Sequence, residues 1–305
     1  MRLVQKNGER RLAASQSKSP KPFTDAFISY RSLSDLYLAL IGVFDSGVGG
    51  LSILDEALRQ LPEHDYIYLA DSINAPYGEK SSEWIASRSM ELCKYLAAQG
   101  CDAIMVACNT ATAQAIAHIR VELSNIPIIG VEPGIKPAAM QSSNGIVGVL
   151  ATEATLKSDK FNALLATLPN CQFVKQAGAG LVPLIEAGQA NGEETLELLA
   201  EHLQPIQDAG ADTLVLGCTH YPFLRKAIRT LLGDSINLID TSDAVVRQLR
   251  RKLEAQGKPV GKDRCGSIKL ISSKDAKTLH QMAQELMQSN LDNHSIESQL
   301  VSAFK

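Results

Sequence analysis

Gly100-Cys-Asp-Ala-Ile-Met-Val-Ala-Cys108-Asn-Thr110 and Gly210-Ala-Asp-Thr-Leu-Val-Leu-Gly-Cys218-Thr-His220 read as one segment written twice. The offset is 110 residues, and the Gly, Asp and Cys coincide without a gap. In each copy a continuous apolar run suits a strand buried on both faces, and the Cys stands where that strand gives way to a helix. A second echo lies upstream: Ile41-Gly-Val-Phe-Asp45-Ser46 resembles Val147-Gly-Val-Leu-Ala151-Thr152 at an offset of 106. Two echoes at nearly the same offset predict two similar α/β lobes of about 100 residues each.

Working outward, short β-rich runs alternate with helical patterns from residue 38 onward. Strands are predicted at Leu40–Phe44, Tyr66–Ala70, Ala103–Ala107, Ile128–Val131, Ile146–Leu150, Gln172–Gln176, Thr213–Leu216 and Asn237–Ile239. Helical patterns such as Trp84–Gln99, Thr112–Leu123, Glu193–Ala209 and Phe223–Leu232 lie between them. This alternation indicates an α/β fold: two pseudo-symmetric parallel-sheet lobes with the active site between them. Residues 38–131 plus 243–305 are expected to form the first lobe and 132–242 the second. The tail from about residue 243 reads as mostly helical and is expected to pack back on the first lobe.

The 305-residue chain is 45% apolar and 21% charged, a globular composition that excludes disorder over the whole length. The longest apolar run, Leu36 to Phe44, is far short of the roughly 20 residues a membrane span needs. A formal charge of −3 argues against a nucleic-acid-binding surface. That charge is uneven. Residues 1–35 hold seven Lys/Arg against three Asp/Glu, net +4, and the other 270 carry −7. Residues 1–37, basic, Ser-containing and poor in apolar side chains, are expected to be a disordered extension outside the fold. No apolar segment of signal-peptide type follows the early basic residues. The six cysteines form no CxxC pair and no zinc spacing, so no metal site and no disulfide framework is expected. The protein is read as cytoplasmic, with reduced thiols.

In a parallel α/β sheet, ligands sit beyond the carboxyl ends of the strands. Cys108 and Cys218 fall there. A thiol at a helix N-terminus is expected to have its pKa lowered by the dipole. Asn109 and Thr110 follow one thiol, Thr219 and His220 the other, and such groups suit a carboxylate. A lone cysteine at a strand end is ordinarily a small buried hydrophobe, and Cys93, Cys101, Cys171 and Cys265 are read so. The duplicated placement singles out the other two.

Asp45-Ser46-Gly47-Val48-Gly49-Gly50 ends the first strand. Its glycines permit tight turning and close approach to a ligand, or mark only a strand–helix turn; the run is not G-x-G-x-x-G. Asp45 has Ala151 as its counterpart, so the fold itself does not require the acid. Asn74-Ala-Pro76-Tyr77-Gly78 is a turn. Glu186 reads as a surface acid and His220 as either a packing residue or an acid–base group.

Together these residues form a known pattern. The chain resembles the glutamate racemases of the cofactor-independent aspartate/glutamate racemase superfamily. The resemblance rests on Gly42-Val-Phe-Asp-Ser-Gly-Val-Gly-Gly50, Pro76-Tyr-Gly78, Val106-Ala-Cys-Asn-Thr-Ala111, Gly130-Val-Glu-Pro-Gly134 and Leu216-Gly-Cys-Thr-His-Tyr-Pro222. It spans about residues 40–250. It implies Cys108 and Cys218 as catalytic thiols, tuned by Asp45, Glu186 and His220, with Cys108 acting on D-glutamate and Cys218 on L-glutamate. It implies ligand contacts from Asp45, Ser46, Tyr77, Gly78, Asn109, Thr110, Thr219 and His220. It also implies no cofactor and a role in supplying D-glutamate for peptidoglycan, hence in cell-wall biogenesis and cell shape. UDP-N-acetylmuramoyl-L-alanine is the candidate activator and a homodimer the candidate assembly, both left open by the sequence.

The chemistry agrees with that implication. Racemisation removes a proton from one face of Cα and returns one to the other, so it needs two opposed groups. Three other readings compete: a racemase for aspartate or a hydantoin, a thiol–disulfide oxidoreductase lacking CxxC, and a non-catalytic amino-acid-binding protein.

Overall fold

The computed structural model describes residues 38–258, 265–289 and 291–301. The predicted extension 1–37 lies outside them. Two parallel sheets carry the fold. In the first, β1 (Leu40–Asp45), β2 (Asp65–Ala70), β3 (Ala103–Val106) and β4 (Ile128–Gly130) are ordered β2-β1-β3-β4. In the second, β5 (Ile146–Ala151), β6 (Gln172–Ala177), β7 (Thr213–Gly217) and β8 (Asn237–Ile239) are ordered β6-β5-β7-β8. The orders are the same. So are the registers: Phe44 pairs with Val106 in one sheet, and Leu150 pairs with Leu216 at the equivalent place in the other. The two echoes of the sequence are therefore one topology used twice.

The repeated Gly and Asp have structural reasons. Gly100 and Gly210 end the helices α2 (Ser82–Ala98) and α8 (Glu193–Asp208) with φ of 85° and 71°, a left-handed turn that favours glycine. Asp102 then accepts from the N–H of Leu40 at 2.8 Å. Asp212 accepts from the N–H groups of Ser143 and Asn144 at 2.7 and 2.9 Å. Each carboxylate thus ties down the chain that leads into the central strand of its sheet.

The tail differs from its sequence reading. The helix α10 (Ser242–Ala255) is followed by β9 (Ser267–Ser272), α11 (Ala276–Leu286) and β10 (Ser295–Leu300). It is not mostly helical: β9 pairs with β2 and β10 with β9, extending the first sheet to six strands. Ser267-Ile-Lys-Leu-Ile-Ser272 buries Ile268 and Leu270 on one face, the period-2 signature of a strand.

One core runs through both sheets. It joins Ile41, Val43 and Met105 of the first sheet to Leu150, Leu214 and Leu216 of the second. Among the described residues no helix is long and apolar enough to cross a membrane.

Candidate active site

The carboxyl ends of β1, β3 and β7 meet at one place. Cys108 follows β3 and caps α3 (Asn109–Glu122), its Sγ accepting from the N–H of Ala111 at 3.5 Å. The same thiol donates to Ser46 Oγ at 3.7 Å. Cys218 follows β7 but leads into a short 3₁₀ turn, Tyr221–Leu224, rather than an α-helix. Its Sγ lies 3.7 Å from His220 Nδ1. His220 Nε2 reaches Glu186 Oε1 at 2.6 Å, and that oxygen also accepts from the N–H of Val48 at 2.7 Å. The repeat is symmetric in backbone and asymmetric in chemistry.

The electrostatics follow this asymmetry. Burial pushes the Cys108 thiol well above its ordinary range, and the nearby Asp45 charge adds to the effect. The N–H of Ala111 and the Ser46 hydroxyl oppose the shift only in part. The lowering expected from a helix N-terminus therefore does not hold for Cys108, because loss of solvation outweighs the dipole. Burial alone would lower the pKa of His220. The hydrogen bonds and charges of Cys218 and Glu186 outweigh it and hold the imidazole well above its ordinary value. An imidazolium donates from both nitrogens, which matches its two neighbours. Asp45 is fully buried, and that burial raises its carboxyl pKa despite His220 and the N–H of Gly47.

The glycines after β1 make room for side chains from the second sheet. A Cβ on Gly47 would lie 1.8 Å from Glu186 Oε1, and one on Gly49 would lie 2.2 Å from His220 Nδ1. Close approach is thus the reason for glycine here, with the tuning residues as the partners that approach. Further ties join the two halves. Thr219 Oγ1 donates to Asp45 Oδ1 at 3.4 Å, and Ser52 Oγ to the carbonyl of Thr219 at 2.8 Å.

A model of the Asp/Glu/hydantoin racemase family matches residues 41–249. The chain belongs to that family. It is 48% identical over 267 residues to a glutamate racemase from Cupriavidus pinatubonensis, covering 87% of this chain and 98% of the relative. A glutamate racemase from Ralstonia pickettii is 56% identical over 220 residues, covering 72% and 78%. Among solved structures, Escherichia coli glutamate racemase in complex with L-glutamate and the activator UDP-MurNAc-Ala superposes with a TM-score of 0.74. It is 32% identical and covers 86% of this chain and 97% of that one. A glutamate racemase isoform from Bacillus anthracis gives 0.75 at 29% identity, covering 85% and 96%.

In this racemase-family chain the residues singled out from sequence gather as one group with small exceptions. Asp45, Ser46, Asn109, Thr110, Thr219 and His220 are buried beside the thiols. Glu186, read from its neighbours as a surface acid, ends the helix α7 (Leu181–Glu186) with its carboxylate on His220. Tyr77 is buried, but its phenol donates to Asp71 Oδ2 at 2.7 Å, so its side chain is committed within the protein. Half-buried Gly78 lies against Thr152. Two residues were missed. Thr152 Oγ1 sits 3.0 Å from Thr110 Oγ1 and 2.9 Å from Thr155 Oγ1, forming a row of hydroxyls close to Cys108. The second echo carries the signal, since it sets Thr152 opposite Ser46.

All six cysteines are free. Cys93 and Cys101 are buried, as small hydrophobes are, and burial pushes both thiols up to about 12. Cys171 is only half-buried and Cys265 is exposed, so the core reading fails for these two. No group of three His, Cys, Asp or Glu among the described residues is arranged to hold a metal ion.

Proposed function

We propose that this chain interconverts L- and D-glutamate by a two-base proton transfer between Cys108 and Cys218. The observation that carries the reading is the asymmetric pair. A buried, protonated thiol ends one sheet, and a thiol facing an imidazolium ends its pseudo-symmetric copy. In the L-to-D direction the Cys218 sulfur takes the Cα proton. The Cα–H bond breaks, its electron pair moves toward the α-carboxylate, and an S–H bond forms. Cys108 then gives its proton to the opposite face, leaving a thiolate. The reverse direction exchanges the roles. His220, backed by Glu186, stabilises negative charge on Cys218. Asn109, Thr110, Thr219 and the hydroxyls of Ser46, Thr152 and Thr155 suit the carboxylates, where hydrogen bonds stabilise the charge that develops.

The two lobes of this reading are residues 38–131 with 243–305, and 132–242, with Asp45, Glu186 and His220 tuning the thiols between them. The neighbours' names support glutamate as substrate, D-glutamate for peptidoglycan as the product's use, and activation by UDP-N-acetylmuramoyl-L-alanine. They leave the reaction in the cytoplasm, where that precursor is made. A homodimer is the assembly to test.

The test is circular dichroism of purified protein given L-glutamate, D-glutamate or L-aspartate, with no cofactor added. Loss of optical activity with both glutamate enantiomers is expected. Turnover of aspartate in preference to glutamate would overturn the substrate, and glutamate binding by calorimetry without turnover would overturn the reaction.

A further inference from the structure

Asp71 directly follows β2 and is fully buried, yet it is not part of the chemistry described above. Its carboxylate accepts from Arg88 Nε at 2.8 Å and Arg88 Nη2 at 2.7 Å, a bidentate pair. It also accepts from the Tyr77 phenol at 2.7 Å and from Asn74 Nδ2 at 3.0 Å. Arg88 stands on α2, and its Nη1 continues to Glu91 Oε2 at 2.9 Å. The Tyr77 ring meets Trp84 of the same helix edge-on, 5.3 Å between centroids. The main chain of Asp71 donates to the carbonyl of Asp45 at 3.0 Å, so the anchor is tied directly to the strand end that carries the site.

We propose that Arg88 and Asp71 are positioning residues for glutamate binding. They act through the Tyr77 phenol to set the height of the Tyr77–Gly78 turn against Thr152. The proposal rests on the racemase reading of the site.

Three physical points carry it. A buried ion pair is a poor device for stability alone, since desolvation offsets its attraction. A bidentate Arg–carboxylate pair, by contrast, fixes position and angle well. Second, the pair does not end on itself: the same carboxylate holds the phenol of the turn. Third, the turn is the part of the first sheet's loops that abuts Thr152. A Cβ at Gly78 would lie 3.4 Å from Thr152 Cβ, and Thr152 bonds Thr110, two residues from Cys108. With its phenol committed to Asp71, the turn can meet a ligand only through its main chain, and main chain is placed by what anchors the loop.

The experiment compares wild type with Tyr77→Phe, Arg88→Lys, Arg88→Gln and Tyr77→Phe/Arg88→Gln. KM, kcat and melting temperature are measured for both glutamate enantiomers. Tyr77→Phe keeps the ring on Trp84 and the ion pair intact, so it remains informative if the Arg88 variants fold poorly. The expected result is a KM raised about 5- to 20-fold in Tyr77→Phe with kcat changed less than about threefold, the pattern of lost ground-state placement. Arg88→Lys, with one hydrogen bond in place of two, should fall between wild type and Arg88→Gln. The double variant should be little worse than Arg88→Gln, because both changes act through one carboxylate. An unchanged KM in Tyr77→Phe, or variants that lose melting temperature and kcat at constant KM, would overturn the positioning role while leaving the racemase reading intact. A folded wild type with no turnover would overturn both.

Discussion

Replacing Glu186 with glutamine removes a charge and keeps a shape. Oε1 of Glu186 accepts from His220 Nε2 and from the N–H of Val48, and an amide oxygen can accept both. The change therefore isolates the electrostatic support behind His220. A hydrogen bond to a charged group contributes about 1.5–3 kcal/mol, against about 0.5–1.5 for a neutral one. The difference of roughly 1–1.5 kcal/mol corresponds to a fall of about 5- to 15-fold in kcat/KM. The two directions must lose it equally, because enantiomers have the same free energy in water. The pH dependence gives the sharper reading. Burial lowers the His220 pKa, and Cys218 and Glu186 outweigh it to leave the value raised. The imidazolium is thus present at low pH and lost as pH rises through that raised value. Without the Glu186 charge the loss begins at lower pH, so the alkaline limb of kcat/KM should move toward neutrality. Circular dichroism with L- and D-glutamate from pH 6 to 10 measures it. A Glu186→Gln profile that superimposes on wild type would refute the coupling.

Cys108→Ser and Cys218→Ser should each abolish net racemisation in both directions. Fed 3-chloroglutamate isomers, Cys108→Ser should release chloride only from the L-configured one and Cys218→Ser only from the D; equal release by both would remove the two-base assignment. Gly49→Ala puts a methyl 2.2 Å from His220 Nδ1. Overpacking of about 1–3 kcal/mol should lower the melting temperature by roughly 3–10 °C at this size and cut kcat at least tenfold; calorimetry and the racemase assay check both. His64 is buried with its pKa pushed down to about 4, chiefly by burial. A depressed histidine destabilises the fold as pH falls from 6.5 to 4, by about 3 kcal/mol. Urea midpoints of His64→Gln should therefore change less between pH 7 and pH 4.5 than those of wild type.

The eight strands of the repeated topology were legible because each is an apolar run bounded by turn residues. The ends moved by one residue where a polar or small residue still pairs, as at Asp45 and Gly217. The last two strands were not legible. Lys269 interrupts Ser267–Ser272, and Ser295–Leu300 is an edge strand with mostly exposed side chains, so it lacks a hydrophobic face. The thiols were legible through duplication. The direction of the Cys108 shift was not, since burial is a property of the folded neighbourhood and overrides the local dipole. Asp71 and Arg88 are 17 residues apart and meet only after β2 and α2 pack. Glu186 and His220 come together across 34 residues, a pairing that spacing alone does not reveal.

The pairing of β9 with β2 has a consequence for synthesis of the chain. Ser267 bonds Asp65 across 202 residues. At about 5–20 residues per second, translation leaves Asp65–Ala70 without that neighbour for roughly 10–40 s. During this interval the segment Asp-Tyr-Ile-Tyr-Leu-Ala presents an open, apolar strand edge on the ribosome-bound chain. Such an edge is a template for pairing with another nascent chain. The second sheet must be made before the first is closed, so the hazard in producing this protein is concentrated on β2 and on the chaperones that shield it.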